Sequence, residues 1–394
     1  EMLRSLVGSE MCIRDRVAIV LSYSRAGIIS LAAVCTIFLY QKLLHRRILK
    51  FSLLAGLVAL ILGCYWIKKD SADGRLLIWQ SCINMVKDSP WIGHGLGSFE
   101  AHYMDYQAEY FRIHGQQNRY AMLADNVKHP FNEYMEILLN FGIIGLVILF
   151  AFIFLLIYCY KLNPDIEKKI AVYVLISIGT FSLFSYPFTY PFTWIITLLS
   201  VLIIIKEPIK VFFAASWKKN VVCALVIGCS MIGIYELVER IQAELEWGRI
   251  SKLTLSDSYD TVLPAYEKLE KAFADNPYFL YNYAAVLLEK KQYDKSLEIA
   301  LQCRKYWADY DLELILGENY QQLNKPKLAE KYYNSASMMC PSRFLPLYKL
   351  FHLYKTNGEK ERSLAMAEAV ISKPMKIKTT TIRTVSYTHL RAHE

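Results

Sequence analysis

The chain has 394 residues, 54% hydrophobic and 14% aromatic, with a mean hydropathy of +0.22. That is too apolar for an ordinary soluble domain of this length and points to several membrane spans. The net charge of +9 lies in short clusters between apolar stretches, with no basic stripe interleaved with aromatics. It therefore reads as a topology signal, and nucleic acid is excluded as a partner.

Both ends are set aside before the fold is considered. The last ten residues, VSYTHLRAHE, can be encoded by a DNA whose reverse complement translates as LVGSEMCIRD, residues 6–15. One DNA element on opposite strands accounts for both, and it looks like a transposon-type sequencing adapter. Residues 1–16 and 385–394 are thus expected to be non-native. The natural protein is expected to run from about Val17 to about Thr384, cut at both ends and lacking N-terminal helices.

Hydropathy draws six spans, near 17–40, 51–67, 143–160, 170–186, 189–205 and 220–236. Lys42, Arg46, Arg47 and Lys50 follow the first span, Lys161, Lys168 and Lys169 the third, and Lys206, Lys210, Lys218 and Lys219 the fifth. All three basic loops fall on one side, which the positive-inside rule makes cytoplasmic. The loop 68–142, the YPFTYPF turn around Pro187 and Pro191, and everything after about 237 then face the other side, periplasmic in a bacterium. The fold class expected is all-α: a polytopic transmembrane domain over 17–236, then a periplasmic helical repeat domain over 237–377.

Arg25 lies some way into the first apolar stretch, VAIVLSYSRAGIISLAAVCTIFLY. A cation there costs about 2.5–3.5 kcal/mol on insertion scales. It should face a partner or a wet cavity, unless it snorkels to the headgroups. In the loop, Leu76, Trp79, Ile83 and Met85 or Val86 recur at helical spacing and predict an amphipathic helix over 73–88. Asp73 or Ser71 can cap its start and Pro90 follows its end. Arg75 then falls in its first turn, where guanidinium and free N–H groups together suit a phosphate. The glycines of IGHGLGSF follow no strand and open no βαβ unit, so they read as a turn rather than a nucleotide-binding loop. His129, Asn132, Glu133 and Glu136 gather in KHPFNEYME, just before the third span.

Of nine cysteines, Cys12 is adapter-like, and Cys35, Cys64, Cys159, Cys223 and Cys229 sit in apolar spans as small hydrophobes. Cys82, Cys303 and Cys340 lack CxxC or Cys/His spacing. No metal and no cofactor is expected, while a disulfide among those three stays open.

The C-terminal part is charged, helical in period and repetitive. Gly317, Tyr320, Ala329, Tyr333, Ala336 and Pro341 have tetratricopeptide spacing. Phe351, Tyr354, Ser363, Ala367 and Val370 fill equivalent slots downstream; Ala284, Ser296, Ala300 and Cys303 do so upstream. Ala265, Ala272 and Pro277 look like the second helix of an earlier repeat. The stretch resembles three to four tetratricopeptide units over about 250–375, an architecture that binds protein partners rather than doing chemistry.

An SRAG at the outer end of a span, an Arg-x-x-x-Trp helix with a PWIGHGLGSF turn, and HPFNEYMEILLNFGIIGL entering the next span occur here in that order. Together they resemble the bacterial O-antigen ligase family, which also contains O-antigen polymerases and protein O-oligosaccharyltransferases. The resemblance covers about 20–205. It implies a metal-independent inner-membrane glycosyltransferase that moves a glycan from undecaprenyl diphosphate to an acceptor hydroxyl on lipid A core, protein or another glycan. It also implies that Arg25 and Arg75 hold the diphosphate, and that a loop histidine acts as base or positions the acceptor, with Asn132 and Glu133 binding substrate. The family often places its histidine immediately before the asparagine; here that position is Phe131 and the histidine is His129. Either His129 serves, or Glu133, His114 or His102 takes over, or the arginines carry most of the rate. A polymerase, a non-catalytic tetratricopeptide scaffold in the membrane, and a transporter using Arg25 are the other readings.

Overall fold

The computed structural model describes residues 24–42, 47–206, 216–254, 259–374 and 376. The adapter-like ends, residues 17–23 of the first expected span, and Arg46 and Lys210 of the basic loops lie outside the described residues. Every regular element among the described residues is a helix, with no strand. In chain order these are α1 (Arg25–Lys42), α2 (Arg47–Ile67), α3 (Lys69–Asp88), α4 (Ser98–His114), α5 (Glu133–Leu162), α6 (Ile166–Ser182) and α7 (Pro191–Ile204). There follow α8 (Ser216–Thr254), α9 (Tyr259–Leu269), α10 (Pro277–Glu289), α11 (Tyr293–Arg304), α12 (Tyr310–Gln322), α13 (Pro326–Met339), α14 (Leu345–Thr356) and α15 (Lys360–Ser372). A single 3₁₀ turn, Pro187–Thr189, separates α6 from α7.

Among the described residues three stretches are long and apolar enough to cross a membrane: Arg47–Ile67, Glu133–Leu162 and Asn220–Leu253. Of the six spans expected from hydropathy, the first, fourth and fifth are represented among the described residues by the helices α1, α6 and α7, of 18, 17 and 14 residues, with residues 17–23 of the first outside the described residues. The prolines of YPFTYPF stop one continuous helix from forming across α6 and α7.

The chain divides into two compact units. The first takes the described residues up to Arg75, then Ser89–Gly93 and His129–Ser216; the second takes Leu76–Asp88, His94–Lys128 and the described residues from Trp217 onward. Residues 68–142 are thus divided between the two units.

In the first unit α1 packs on α2 and α6, and α6 on α7. Ser30 Oγ lies 2.8 Å from both the carbonyl and the hydroxyl of Ser177, a polar cross-link between closely approaching helices. Asp165 caps α6 by accepting the Lys168 N–H at 2.7 Å. Helix α5 is not one straight rod. Gly142 has φ 63° and ψ −161°, which breaks it between the cap at Asn132 and the apolar stretch that follows. The N–H groups of Ile143 and Ile144, freed by that break, donate to the carbonyls of Pro90 (2.8 Å) and Trp91 (3.2 Å). The PWIG turn is therefore stitched, backbone to backbone, into the helix at the residue where the third span was expected to begin. The glycines of IGHGLGSF form a turn as read: Gly93, Gly95 and Gly97 all have positive φ.

In the second unit three helix pairs, α10–α11, α12–α13 and α14–α15, follow one another, their first helices starting at Pro277, Tyr310 and Leu345. Ala284, Ser296, Ala300, Cys303, Ala329, Tyr333 and Ala336 are fully buried between them, as their spacing predicts. Gly317 allows α12 to lie directly on the Tyr333 ring. Ala265 is helical, but Ala272 lies in the turns after α9, and Pro277 opens α10 behind the Asn276 cap. No helix ends at 236; α8 runs on to Thr254 and brings Trp247 and Ile250 into the same core as Phe273 and Phe279.

Helix α4 belongs to this unit and packs on α13. Buried Gln107 donates to the carbonyls of Met339 (2.6 Å) and Asp125 (3.2 Å). Arg304 bridges Asp105 (2.5 Å) and buried Glu313 (2.6 Å). Cys82, Cys303 and Cys340 are separate buried thiols, so no disulfide joins them.

Candidate active site

Arg25, Arg75, His129, Asn132 and Glu133 all fall within the first unit. The SRAG motif is a helix start. Ser24 Oγ accepts the Gly27 N–H at 3.2 Å, the N-cap geometry, and Arg25 is the first helical residue. Its guanidinium donates from Nη1 to the carbonyls of Cys64 (3.1 Å) and Lys68 (3.3 Å), and from Nη2 to Ser71 Oγ (2.8 Å). Cys64 O is among the last four carbonyls of α2, which lack helical partners and carry the negative end of the helix dipole. The arginine is thus engaged at the corner between α2 and α3 rather than reaching outward.

That corner corrects the expected start of the loop helix. Lys68, with φ −133° and ψ 60°, is the single non-helical residue between α2 and α3, and helix resumes at Lys69. Ser71 and Asp73 therefore lie inside the helix and cap nothing: Ser71 accepts from Arg25, and Asp73 accepts from the Tyr65 hydroxyl at 2.7 Å. Arg75 is past the first turn, so it does not share an anion with the helix's free N–H groups. What it shares is a face. Ser71 and Arg75 are four residues apart on one side of α3, so the Arg25 guanidinium on Ser71 is one turn from Arg75.

Arg75 Nη1 donates to the carbonyl of Phe184 at 2.8 Å, and its guanidinium carbon lies 5.1 Å from the Phe131 ring centre. Burial and the nearby positive charge of Arg25 pull the Arg75 pKa below the ordinary arginine value, with Tyr186 acting the other way. Among the described residues neither arginine is paired with a carboxylate. Two neighbouring guanidinium groups with no carboxylate partner among the described residues concentrate positive potential.

His129 stacks on Tyr186, with ring centres 4.5 Å apart and planes 22° from parallel. Phe131, with φ 54°, turns its ring edge-on to the same tyrosine at 5.3 Å. Phe131 stands where the resemblance would place a histidine, and here it covers the Arg75 guanidinium. Asn132 Oδ1 accepts the Met135 N–H at 3.0 Å and caps α5, and Glu133 Oε1 accepts the Phe188 N–H at 2.9 Å. Both thus have local tasks. Asn132→Ala is expected to cost about 1 kcal/mol of stability, and Asn132→Ser or Asp only a few tenths, as an N-cap does. Thermal unfolding in detergent reads this, and a further loss of activity in a fully folded Asn132→Ser variant would mark a separate role in binding.

The alternative histidines have contacts of their own. His102 and His114 belong to the second unit. His102 faces His94 at 5.8 Å, and burial together with His94 keeps its pKa below the ordinary histidine value. His114 stacks on Tyr110 of its own helix.

Sequence reasoning missed Tyr186 and Phe131. The YPFTYPF turn was placed on the same face as the loop, which is a signal for proximity. Nothing in the turn marks one of its aromatics as the partner of His129.

No curated protein matches the chain. Residues 15–150 match a protein-family model described as O-antigen ligase. That stretch contains Arg25, Arg75, His129, Asn132 and Glu133, and the match, together with the apolar helices, supports the O-antigen ligase family, whose members are ligase- or polymerase-type membrane glycosyltransferases.

Proposed function

We propose that the protein transfers a glycan from undecaprenyl diphosphate to an acceptor hydroxyl at the periplasmic face of the bacterial inner membrane, without a metal. The observation that carries this reading is the pair Arg25 and Arg75, brought near one another with no carboxylate partner among the described residues, in the unit where His129 stacks on Tyr186. The acceptor oxygen attacks the anomeric carbon, the bond to the diphosphate breaks with its electron pair, and undecaprenyl diphosphate leaves as the anion. Two fixed cations stabilise charge that grows on the departing oxygens. His129 takes the acceptor proton as the new bond forms, the task an imidazole performs near neutral pH. The acceptor is lipid A core, protein or a second glycan. The helix pairs over 277–372 are read as tetratricopeptide-like, orienting an acceptor or a glycan-assembly protein.

Ligation and polymerisation would use the same site. The test is deletion of the gene in its host with gel analysis of lipid-linked and surface glycans. Long undecaprenyl-linked polymer beside bare acceptor supports a ligase, and acceptor carrying a single repeat unit supports a polymerase. Unchanged glycans in a host without a redundant homologue overturn the transferase reading in favour of a membrane scaffold.

A further inference from the structure

The turn between α6 and α7 is held from both sides by residues of the site. Arg75 takes the carbonyl of Phe184, two positions before Tyr186, and Glu133 takes the N–H of Phe188, two positions after it. The indole of Trp194 closes the turn by donating to Phe188 O at 2.7 Å, and Pro187 is buried within it. Two ionisable site residues thus converge on the backbone around one tyrosine. That tyrosine gives its face to His129 at 4.5 Å and meets the edge-on Phe131 ring at 5.3 Å. Its hydroxyl also acts on the Arg75 guanidinium electrostatically, raising the Arg75 pKa against the effects of burial and Arg25. Tyr186 lies beyond residue 150, outside the stretch matched to the family.

We propose that Tyr186 is the positioning residue for His129, its ring fixing the imidazole plane beside the turn that Arg75 and Glu133 brace. This rests on the transferase reading above for its catalytic consequence, but not for the stacking itself. Stacking on a braced ring restricts rotation of the imidazole plane, and the same face attracts the imidazolium that forms when His129 takes a proton.

The test compares Tyr186→Phe, which keeps the ring, with Tyr186→Leu, which keeps apolar bulk without it; Tyr186→Met replaces the leucine variant if that one does not fold. Diethylpyrocarbonate modification of His129, followed by peptide mass spectrometry on the full chain in detergent, needs no turnover. It is expected to run at an unchanged rate in Tyr186→Phe and at least about threefold faster in Tyr186→Leu, because the stacked face is uncovered. In transfer assays Tyr186→Leu is expected to lower kcat about tenfold with the donor KM within about twofold, since misplacing a reacting group by a fraction of an ångström has effects of that order. Tyr186→Phe stays within about threefold of wild type. On a His129→Ala background the leucine change is expected to cost no more than about twofold further, because it acts through the imidazole.

An unchanged modification rate in Tyr186→Leu overturns the proposal. So does an equal loss of kcat with and without His129, or a phenylalanine variant as impaired as the leucine one. A modification difference in a protein that transfers no glycan supports the positioning of His129 and overturns the transferase reading alone.

Discussion

Arg75→Ala is expected to lower transfer about 100- to 1,000-fold while leaving the protein folded, the range seen when one preorganised charge-stabilising donor is removed. The two effects separate because Arg75 is held at a cost. Its hydrogen bond to Phe184 O is one a charged donor makes, worth about 1.5–3 kcal/mol. Against it stand burial of the guanidinium and the repulsion of Arg25, the two causes that lower its pKa. Deleting the side chain removes both terms, so the net stability loss is expected to be only about 1–2 kcal/mol. Arg75→Lys keeps the charge but not the planar fork. One ammonium cannot hold Phe184 O and engage phosphate oxygens in a bidentate pair, so about a tenfold loss is expected. Arg25→Ala should impair transfer as strongly but destabilise more, because three hydrogen bonds at the corner between α2 and α3 go with it. Inorganic diphosphate is expected to raise the unfolding temperature of the wild type and not that of Arg75→Ala, by linkage of binding to folding. Transfer that survives at the wild-type rate in both alanine variants would remove the arginine pair from the chemistry.

The residues of the site were legible in the sequence where physical cost marks them. An arginine in an apolar stretch needs a reason, and Arg25 has one in the carbonyls at the end of α2. A histidine and a capping asparagine stand out in the sequence because they gather just before an apolar span. The glycine turn was readable because no strand precedes it. What escaped were features a hydropathy window averages away. A single residue, Lys68, separates α2 from α3, so no loop composition announces the corner, and a start placed at Asp73 moved Arg75 into a turn it does not occupy. Gly142 sits between Phe141 and Ile143 in a run that is apolar on both sides, so the break leaves mean hydropathy unchanged. Tyr186 carries no charge, and its partner is distant in the chain; only the shared face of two loops pointed to it. The partition of the loop 68–142 escaped for a related reason. Its apolar positions fit a helix on a membrane face, yet Leu77 and Phe111 are buried in one cluster of the second unit with Tyr120 and Ala124.

Gly142→Ala is the substitution expected to cost most stability in the first unit, at least about 3 kcal/mol. With φ 63° and ψ −161°, Gly142 occupies a region of backbone space that is essentially closed to side chains and costs on the order of 1–3 kcal/mol to enter. A Cβ there would also overlap the Trp91 carbonyl, and the neighbour cannot yield because it is backbone accepting the Ile144 N–H. If the turn is pushed away, the N–H groups of Ile143 and Ile144 lose the carbonyls that satisfy them, next to a stretch apolar enough to lie in a bilayer where no water replaces them. If the helix straightens instead, those N–H groups recover partners within α5, but the first segment, Glu133–Phe141, must swing. That segment carries the Asn132 cap and the Glu133 contact to Phe188, so the turn bearing Tyr186 loses one of its two braces. Gly93→Ala should behave similarly, since its φ is 69° and a Cβ would come 2.5 Å from Leu139 O. Gly63→Ala is the control: it lies within α2 with nothing within 4 Å of the added methyl, and a gain of up to about 1 kcal/mol is expected from helix propensity alone. Thermal unfolding in detergent reads all three. Equal unfolding temperatures for Gly142→Ala and Gly63→Ala would mean that the break in α5 is not stitched to the PWIG turn, whereas loss confined to Gly142→Ala and Gly93→Ala, accompanied by loss of transfer, makes that interlock the support on which the histidine loop is built.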